Sequence, residues 1–391
     1  MTDLIYFDNS ATTKTSDEAL CEYNRVSREN FANPSSLHSL GFSAEGEIRR
    51  AKDIITASLK ATGDEVVFCA SGSEANNLAI FGRAFAKERY KNGAKIITTM
   101  GEHASVSEPF LALSKMGFKV AYIPTKNGEI DFSALEGELT ENVILASFMM
   151  VNNETGALYD LKRASSMIRK RCPDALFHVD ATQSYLKLPF TKASVGFDMI
   201  TMSAHKIEGP KCVGALLLDK KIIKSHGLSP IILGGGQGGG LRSGTENVAG
   251  IAAFARAVED GVKNLAKNQE KTEALREYLI EKLHTVPTLK DIYVTLPKAH
   301  APHILNITVP NIKSETMLHF LSSRGIFVSS GSACSSNSSH TSSALLAYGH
   351  TEAMSDSSIR ISFSARNEFS EIDVFIKALE DGLSSLARIK K

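Results

Sequence analysis

The feature that most constrains the fold is a series of short apolar runs between about residues 60 and 220. They are VVFCA (66–70), KIITTM (95–100), KVAYI (119–123), VILASFMM (143–150), LFHVD (176–180), MITMS (199–203) and GALLL (214–218). Several are continuously apolar rather than alternating, as expected of strands buried on both faces. Helix-patterned stretches such as EANNLAIFGRAFAKERY separate them. The pattern predicts a doubly wound α/β unit with parallel strands and helices on each side. Beyond the Gly-rich LGGGQGGGLRSG (233–244) the texture changes. Phe254, Val258, Val262 and Leu265, then Leu275, Tyr278, Leu279 and Leu283, fall at helical spacing and predict one long helix over 250–284. A smaller α/β unit follows, with strands near 292–296, 304–309 and 359–364, a helix near 314–323 and a closing helix from about Glu371 to Arg388. The Ser-rich SSGSACSSNSSHTSS (329–343) has no periodicity and reads as a flexible loop.

Composition narrows the function classes. Apolar residues make up 43% of the 391, enough for a sizeable core. Lys and Arg number 44 against 43 Asp and Glu, so net charge gives no pull toward nucleic acid or anionic membrane. No apolar run reaches the ~18 residues of a membrane span. Asp3 and Asp8 sit where an export signal needs a basic then apolar run, so a cytoplasmic protein is expected. The five cysteines (Cys21, Cys69, Cys172, Cys212, Cys334) are scattered without a CxxC pair, which argues against a disulfide framework or a zinc site. For four of them we expect small buried side chains.

Polar residues cluster just after the predicted strands, where open α/β sheets bind ligands. Strand 66–70 leads into Ser71-Gly72-Ser73-Glu74 and a helix, a start that suits a phosphate but can equally be a simple cap. Strand 95–100 leads to His103, 143–150 to Asn152-Asn153-Glu154-Thr155-Gly156, 176–180 to Asp180, and 199–203 to Ser203-Ala204-His205-Lys206. Alone, each has a bland reading: a structural His, an Asn-rich turn, a solvated Lys. Together, an acid at one strand end, a Lys at another and a phosphate cradle between them are what pyridoxal phosphate requires.

The chain resembles the cysteine desulfurases of the class V aminotransferase group, which are fold-type I pyridoxal-phosphate enzymes. The resemblance runs through YFDNSATT (6–13), NPSS (33–36), SGSEANNLA (71–79), EH (102–103), NNETG (152–156), HVDATQ (178–183), SAHKIEGPK (203–211), RSGTEN (242–247), SSGSAC (329–334) and SIRISFS (358–364). It implies a large doubly wound, mostly parallel domain at 15–255, and a small α/β domain made of 1–14 and 256–391 that carries the cysteine loop. It implies that Lys206 forms the Schiff base, Asp180 pairs with the pyridine nitrogen, Gln183 bonds the phenolic oxygen, and His103 stacks on the ring and helps move protons as a catalytic residue. Gly72, Ser73, Ser203 and His205 would hold the phosphate, and Thr245 the phosphate of a neighbouring subunit in a homodimer. Asn153 and Arg360 would grip L-cysteine, with Arg360 pairing its carboxylate. Cys334 would be the nucleophile, taking the sulfur as a persulfide and releasing alanine. The sulfur would pass to an acceptor such as an iron–sulfur scaffold or a tRNA-thiolating protein.

Two alternatives stay open: selenocysteine lyase or another class V enzyme, separable by comparing turnover of cysteine and selenocysteine, and a non-catalytic binding platform, which would fail to take up the coenzyme. Two places depart from the usual pattern. SSNSSHTSS follows Cys334 where a more hydrophobic and acidic stretch is common, and Gly238 stands where a charged residue is common. The loop length still points to the subgroup with a mobile cysteine loop.

Overall fold

The computed structural model describes residues 4–88, 93–330 and 342–386. Its centre is a seven-stranded sheet in the order Glu65–Cys69, Gly214–Leu218, Met199–Ser203, Leu176–Asp180, Val143–Met149, Lys95–Thr99, Lys119–Ile123. All seven residues of Val143–Met149 are buried, as are all five of Met199–Ser203 and of Gly214–Leu218, so the continuously apolar runs are strands covered on both faces. One expectation needs correction. Gly214–Leu218 runs antiparallel to both its neighbours. Only the turn through 204–213 separates it from the preceding strand, too short for the crossover that a parallel neighbour requires.

Glycine at the head of that strand has a physical cause. A Cβ at Gly214 would lie 2.4 Å from the Ser71 carbonyl carbon, so the strand can pass beneath the start of the helix Gly72–Phe85 only without a side chain.

The predicted long helix is Val248–Thr285, 38 residues capped by the Asn247 side chain. Two helices that the strand pattern does not announce, Asp17–Glu29 and Ser39–Ser58, pack against it. Next comes a four-stranded antiparallel sheet in the order Tyr293–Thr295, Ile304–Thr308, Ser358–Ser362, Ser329–Ser330. Part of the expected Ser-rich loop is therefore ordered: Ser329–Ser330 is an edge strand, and Ser342 caps the helix Ser343–Tyr348. Cys334 lies outside the described residues.

The N-terminal strand Ile5–Tyr6 pairs with Ile326–Phe327 on the small-sheet side. The chain then crosses toward the large sheet. The Ser10 amide donates to Ser362 Oγ at 2.8 Å, and the Thr13 amide donates to the His205 carbonyl at 2.8 Å. This strap spans the gap between the two sheets. No helix among the described residues is long and apolar enough to cross a membrane. Cys69 and Cys172 are buried as expected, whereas Cys21 and Cys212 are on the surface.

Candidate functional site

A cavity of about 340 Å³ opens at the carboxyl ends of the large-sheet strands, where the strap and the small-sheet edge face them. One wall is made by residues at the ends of strands or in the turns after them: His103, Asp180, Gln183, Ser203, His205 and Lys206, with Gly72 and Ser73 from the helix start. The other wall brings Arg360, Ser329 and Ser330 from the small sheet and Asp8 from the strap, joined by Asn153 and Glu154 from the loop after Val143–Met149. Ten positions expected from the sequence thus share one cavity. Thr245 is exposed and lies outside it.

The Lys206 amine donates to the strap carbonyls of Ser10 at 2.6 Å and Ala11 at 2.8 Å. Gln183 Nε2 also donates to the Ser10 carbonyl, at 2.9 Å. Asp180 is buried, yet both carboxylate oxygens are satisfied. Oδ1 accepts from the Thr182 amide at 2.9 Å and Oδ2 from Asn76 Nδ2 at 2.8 Å. Burial is affordable for a carboxylate only with such donors.

The helix Gly72–Phe85 begins beside these strand ends. The Ser71 hydroxyl caps it by accepting from the Glu74 amide, which leaves the amides of Gly72 and Ser73 outside the helical ladder. A Cβ on Gly72 would come within 3.3 Å of both Ser203 Cβ and Thr182 Oγ1. Ser203 Oγ is buried without a partner. The result is a glycine-lined notch with spare donors at a helix N-terminus, suited to an anion. Burial, then the charges of Lys206, Lys211 and Lys187, pull the His205 imidazole down to about 4, so it is neutral.

On the other wall, Arg360 Nη2 donates to Asp8 Oδ1 at 2.8 Å, and Nη1 donates to the Asn153 carbonyl at 3.0 Å. Its Nε is buried and unpartnered. A guanidinium held at one edge with an unused donor at another can still take a carboxylate. Burial pushes the Glu154 carboxyl up to about 7, while the Ser342 hydroxyl, 2.6 Å away, and Arg360 oppose the rise. Glu102 sits deeper. It accepts from the Thr99 hydroxyl and the Met149 amide, but burial still pushes it up to about 8.

Several residues here escape a reading of strand ends: Asp8 and Ser10 on the strap, Asn76, and Ser105. A signal existed for Asn76, because a polar side chain on the apolar face of EANNLAIF needs a buried partner. Lys187 also escaped. Its amine reaches Gln183 Oε1 at 3.4 Å, behind the cavity, and burial followed by the charges of Lys206 and Arg360 lowers it to about 7. No cluster of metal-ligating side chains occurs among the described residues.

The profile of the class V aminotransferases matches residues 5–375. A NifS/IcsS protein homolog of Lactobacillus delbrueckii subsp. bulgaricus is 38% identical over 392 residues, covering 99% of each chain. A cysteine desulfurase IscS of Clostridium botulinum is 36% identical over 383 residues, 97% of this chain and 94% of the relative. Among solved structures, a NifS-like protein superposes with a TM-score of 0.89 at 34% identity, covering 97% of this chain and 99% of the other. SspA in complex with cysteine superposes at 0.80 and 31% identity, covering 93% and 100%. With strand-end chemistry, fold and full-length similarity in agreement, this chain belongs to the class V aminotransferase family, among its cysteine desulfurases.

Proposed function

We propose that the chain uses pyridoxal phosphate to remove sulfur from L-cysteine, giving L-alanine and a persulfide on Cys334. The observation that carries the reading is the meeting of Lys206, Asp180 and an anion notch on one wall with Arg360 on the other. The residues suit the coenzyme. The Ser203 hydroxyl is unpartnered beside the Gly72 notch, which fits a phosphate, and Asp180 is a buried carboxylate already supplied with donors. Gly72, Ser73, Ser203 and His205 would hold the phosphate, Asp180 and Gln183 the ring, and Lys206 the aldehyde carbon. When bound, the coenzyme supplies an electron sink for the substrate's Cα.

Arg360 and Asn153 orient cysteine by its carboxylate. The Lys206 amine takes the Cα proton. The Cys334 thiolate attacks the substrate sulfur, an S–S bond forms as the Cβ–S bond breaks, and Cβ regains a proton. Cysteine and one enzyme thiol thus become alanine and one enzyme persulfide, with no outside oxidant.

The sulfur then passes to an acceptor, an iron–sulfur scaffold or a tRNA-thiolation protein in the cytoplasm. The large exposed side chains Phe31, Leu37, Phe42 and Leu233 support a homodimer, in which Thr245 reaches the partner's phosphate. A core cluster that joins Ile5 and Phe7 to residues from Leu275 to Leu379 supports a small domain built from 1–14 and 256–391 around a large one at 15–255.

Incubation with L-cysteine, followed by intact mass and alanine release, tests the reading. A sulfur-sized gain on the Cys334 peptide is expected. Cys334→Ala should bind the coenzyme normally and release neither alanine nor sulfide. Turnover at the parent rate in that variant would remove Cys334 from the mechanism.

A further inference from the structure

His103 caps the helix Ala104–Lys115, and its Nδ1 accepts the Ser105 backbone N–H at 3.1 Å. A ring nitrogen that accepts an N–H carries no proton, so the neutral imidazole holds its proton on Nε2. Ser105 Oγ also lies 2.8 Å from this Nδ1 and must donate to it. The same hydroxyl accepts from Asn76 Nδ2 at 2.9 Å, and Asn76 Nδ2 also donates to Asp180 Oδ2 at 2.8 Å. The donors run one way throughout, from the Asn76 amide to Asp180 on one side and through Ser105 to His103 on the other. Asn76 is 1% exposed, and turning its amide over would aim its oxygen at the Asp180 carboxylate.

We propose that Asn76 and Ser105 are positioning residues for the desulfurase reaction: they lock His103 in the Nε2–H form and tie its ring to the carboxylate that serves the coenzyme nitrogen. The kinetic consequence rests on the function proposed above, whereas the tautomer does not. A neutral His103 with its proton on Nε2 offers the cavity a donor and not a base, which leaves removal of the Cα proton to Lys206. Charged groups face the ring from three elements: Asp180 from the end of Leu176–Asp180, Lys206 from the turn after Met199–Ser203, and Arg360 from Ser358–Ser362. Burial, with the two cations, lowers its titration, and Asp180 opposes them.

Nitrogen NMR of the holoenzyme with labelled histidine tests this, with His103→Gln used to assign the signal. At neutral pH the parent should show an unprotonated Nδ1 and a protonated Nε2. Ser105→Ala removes a donor that favours the neutral ring, so the titration midpoint should rise by roughly half to one pH unit. Protonation keeps the Nε2–H donor but adds a third cation near Lys206 and Arg360, so the acid limb of kcat/KM should move with that midpoint, while KM for cysteine changes by less than about twofold. Ser105→Thr should restore both, which a loss of folding in the Ala variant would not allow. Asn76→Ala should move the same midpoint and also the pH dependence of the bound coenzyme's absorbance. A parent ring protonated on Nδ1, or titrations unchanged in Ser105→Ala and Asn76→Ala, would overturn the proposal. The expected tautomer and shifts in an enzyme that releases no alanine would leave it standing and remove the desulfurase reading instead.

Discussion

The two walls of the cavity are built by different means. The wall with His103, Asp180 and Lys206 is built on strand ends of one sheet, with Asp180 opposite Met149 on one side and Thr201 on the other. Its geometry is inherited from one hydrogen-bonded ladder. The wall with Arg360 draws on remote segments: Arg360 meets Asp8 across 352 positions and Asn153 across 207. Its geometry depends on how the small sheet and the N-terminal strap pack against the large sheet. Under the proposed function, coenzyme chemistry falls to the wall built on that ladder. Under the same proposal, substrate capture falls to a wall that a small displacement of the second sheet would disturb.

The largest effect should come from the ladder wall. Lys206→Ala removes both the proposed coenzyme anchor and the proposed base, and alanine release should fall by at least roughly 10²–10⁴-fold. The visible absorbance of the Lys206-bound coenzyme should vanish as well. A variant near parent turnover would mean that the strand-end wall does not hold the chemistry. Next is the opposite wall. Arg360→Lys keeps the charge but loses the planar fork. KM for cysteine should rise by about 10–100-fold, with coenzyme affinity in titrations close to that of the parent. Loss of coenzyme binding in this variant would show that the walls are not separable.

The smallest effect concerns pH and separates the walls again. Burial raises Glu102 to about 8 and Glu154 to about 7, both above the ordinary 4.5. Between the ordinary and the folded values each of these carboxyls binds more protons in the folded chain than in the unfolded one, so their contribution to stability should fall as pH rises from about 5 to 8, against the opposite slope of buried imidazoles such as His178 and His205. Glu154→Gln should flatten that fall up to about pH 7. Glu102→Gln should flatten it through to about pH 8. Thermal midpoints measured across this range, expected to differ by a few degrees, check both. Variants whose midpoints keep a constant offset from the parent across this range would mean that the two carboxyls are ionised and paired in the folded protein.

The ladder wall was largely legible in the sequence, because a strand and the residue following it are neighbours in the chain. Asp180 after LFHV and Lys206 after MITMSAH could be picked out by position alone. Asn76 and Ser105 were not, because what makes them matter is a contact between two helices that start from different strands. Asp8 was read only against an export signal and as part of a motif, and its salt bridge with Arg360 could not be read from either segment. Gly238, singled out as unusual, has a φ of +58°, a backbone conformation that glycine adopts readily.

What the sequence determined by itself is the set of buried strands and the polar residues at their ends, since apolar continuity and chain adjacency are local properties. Only the tertiary structure decided that the strap brings Ser10 to Lys206, and that Asn76 links Asp180 to Ser105 and His103. Such contacts join distant segments, and they are set by how whole elements pack and satisfy buried polar groups, which no local pattern encodes.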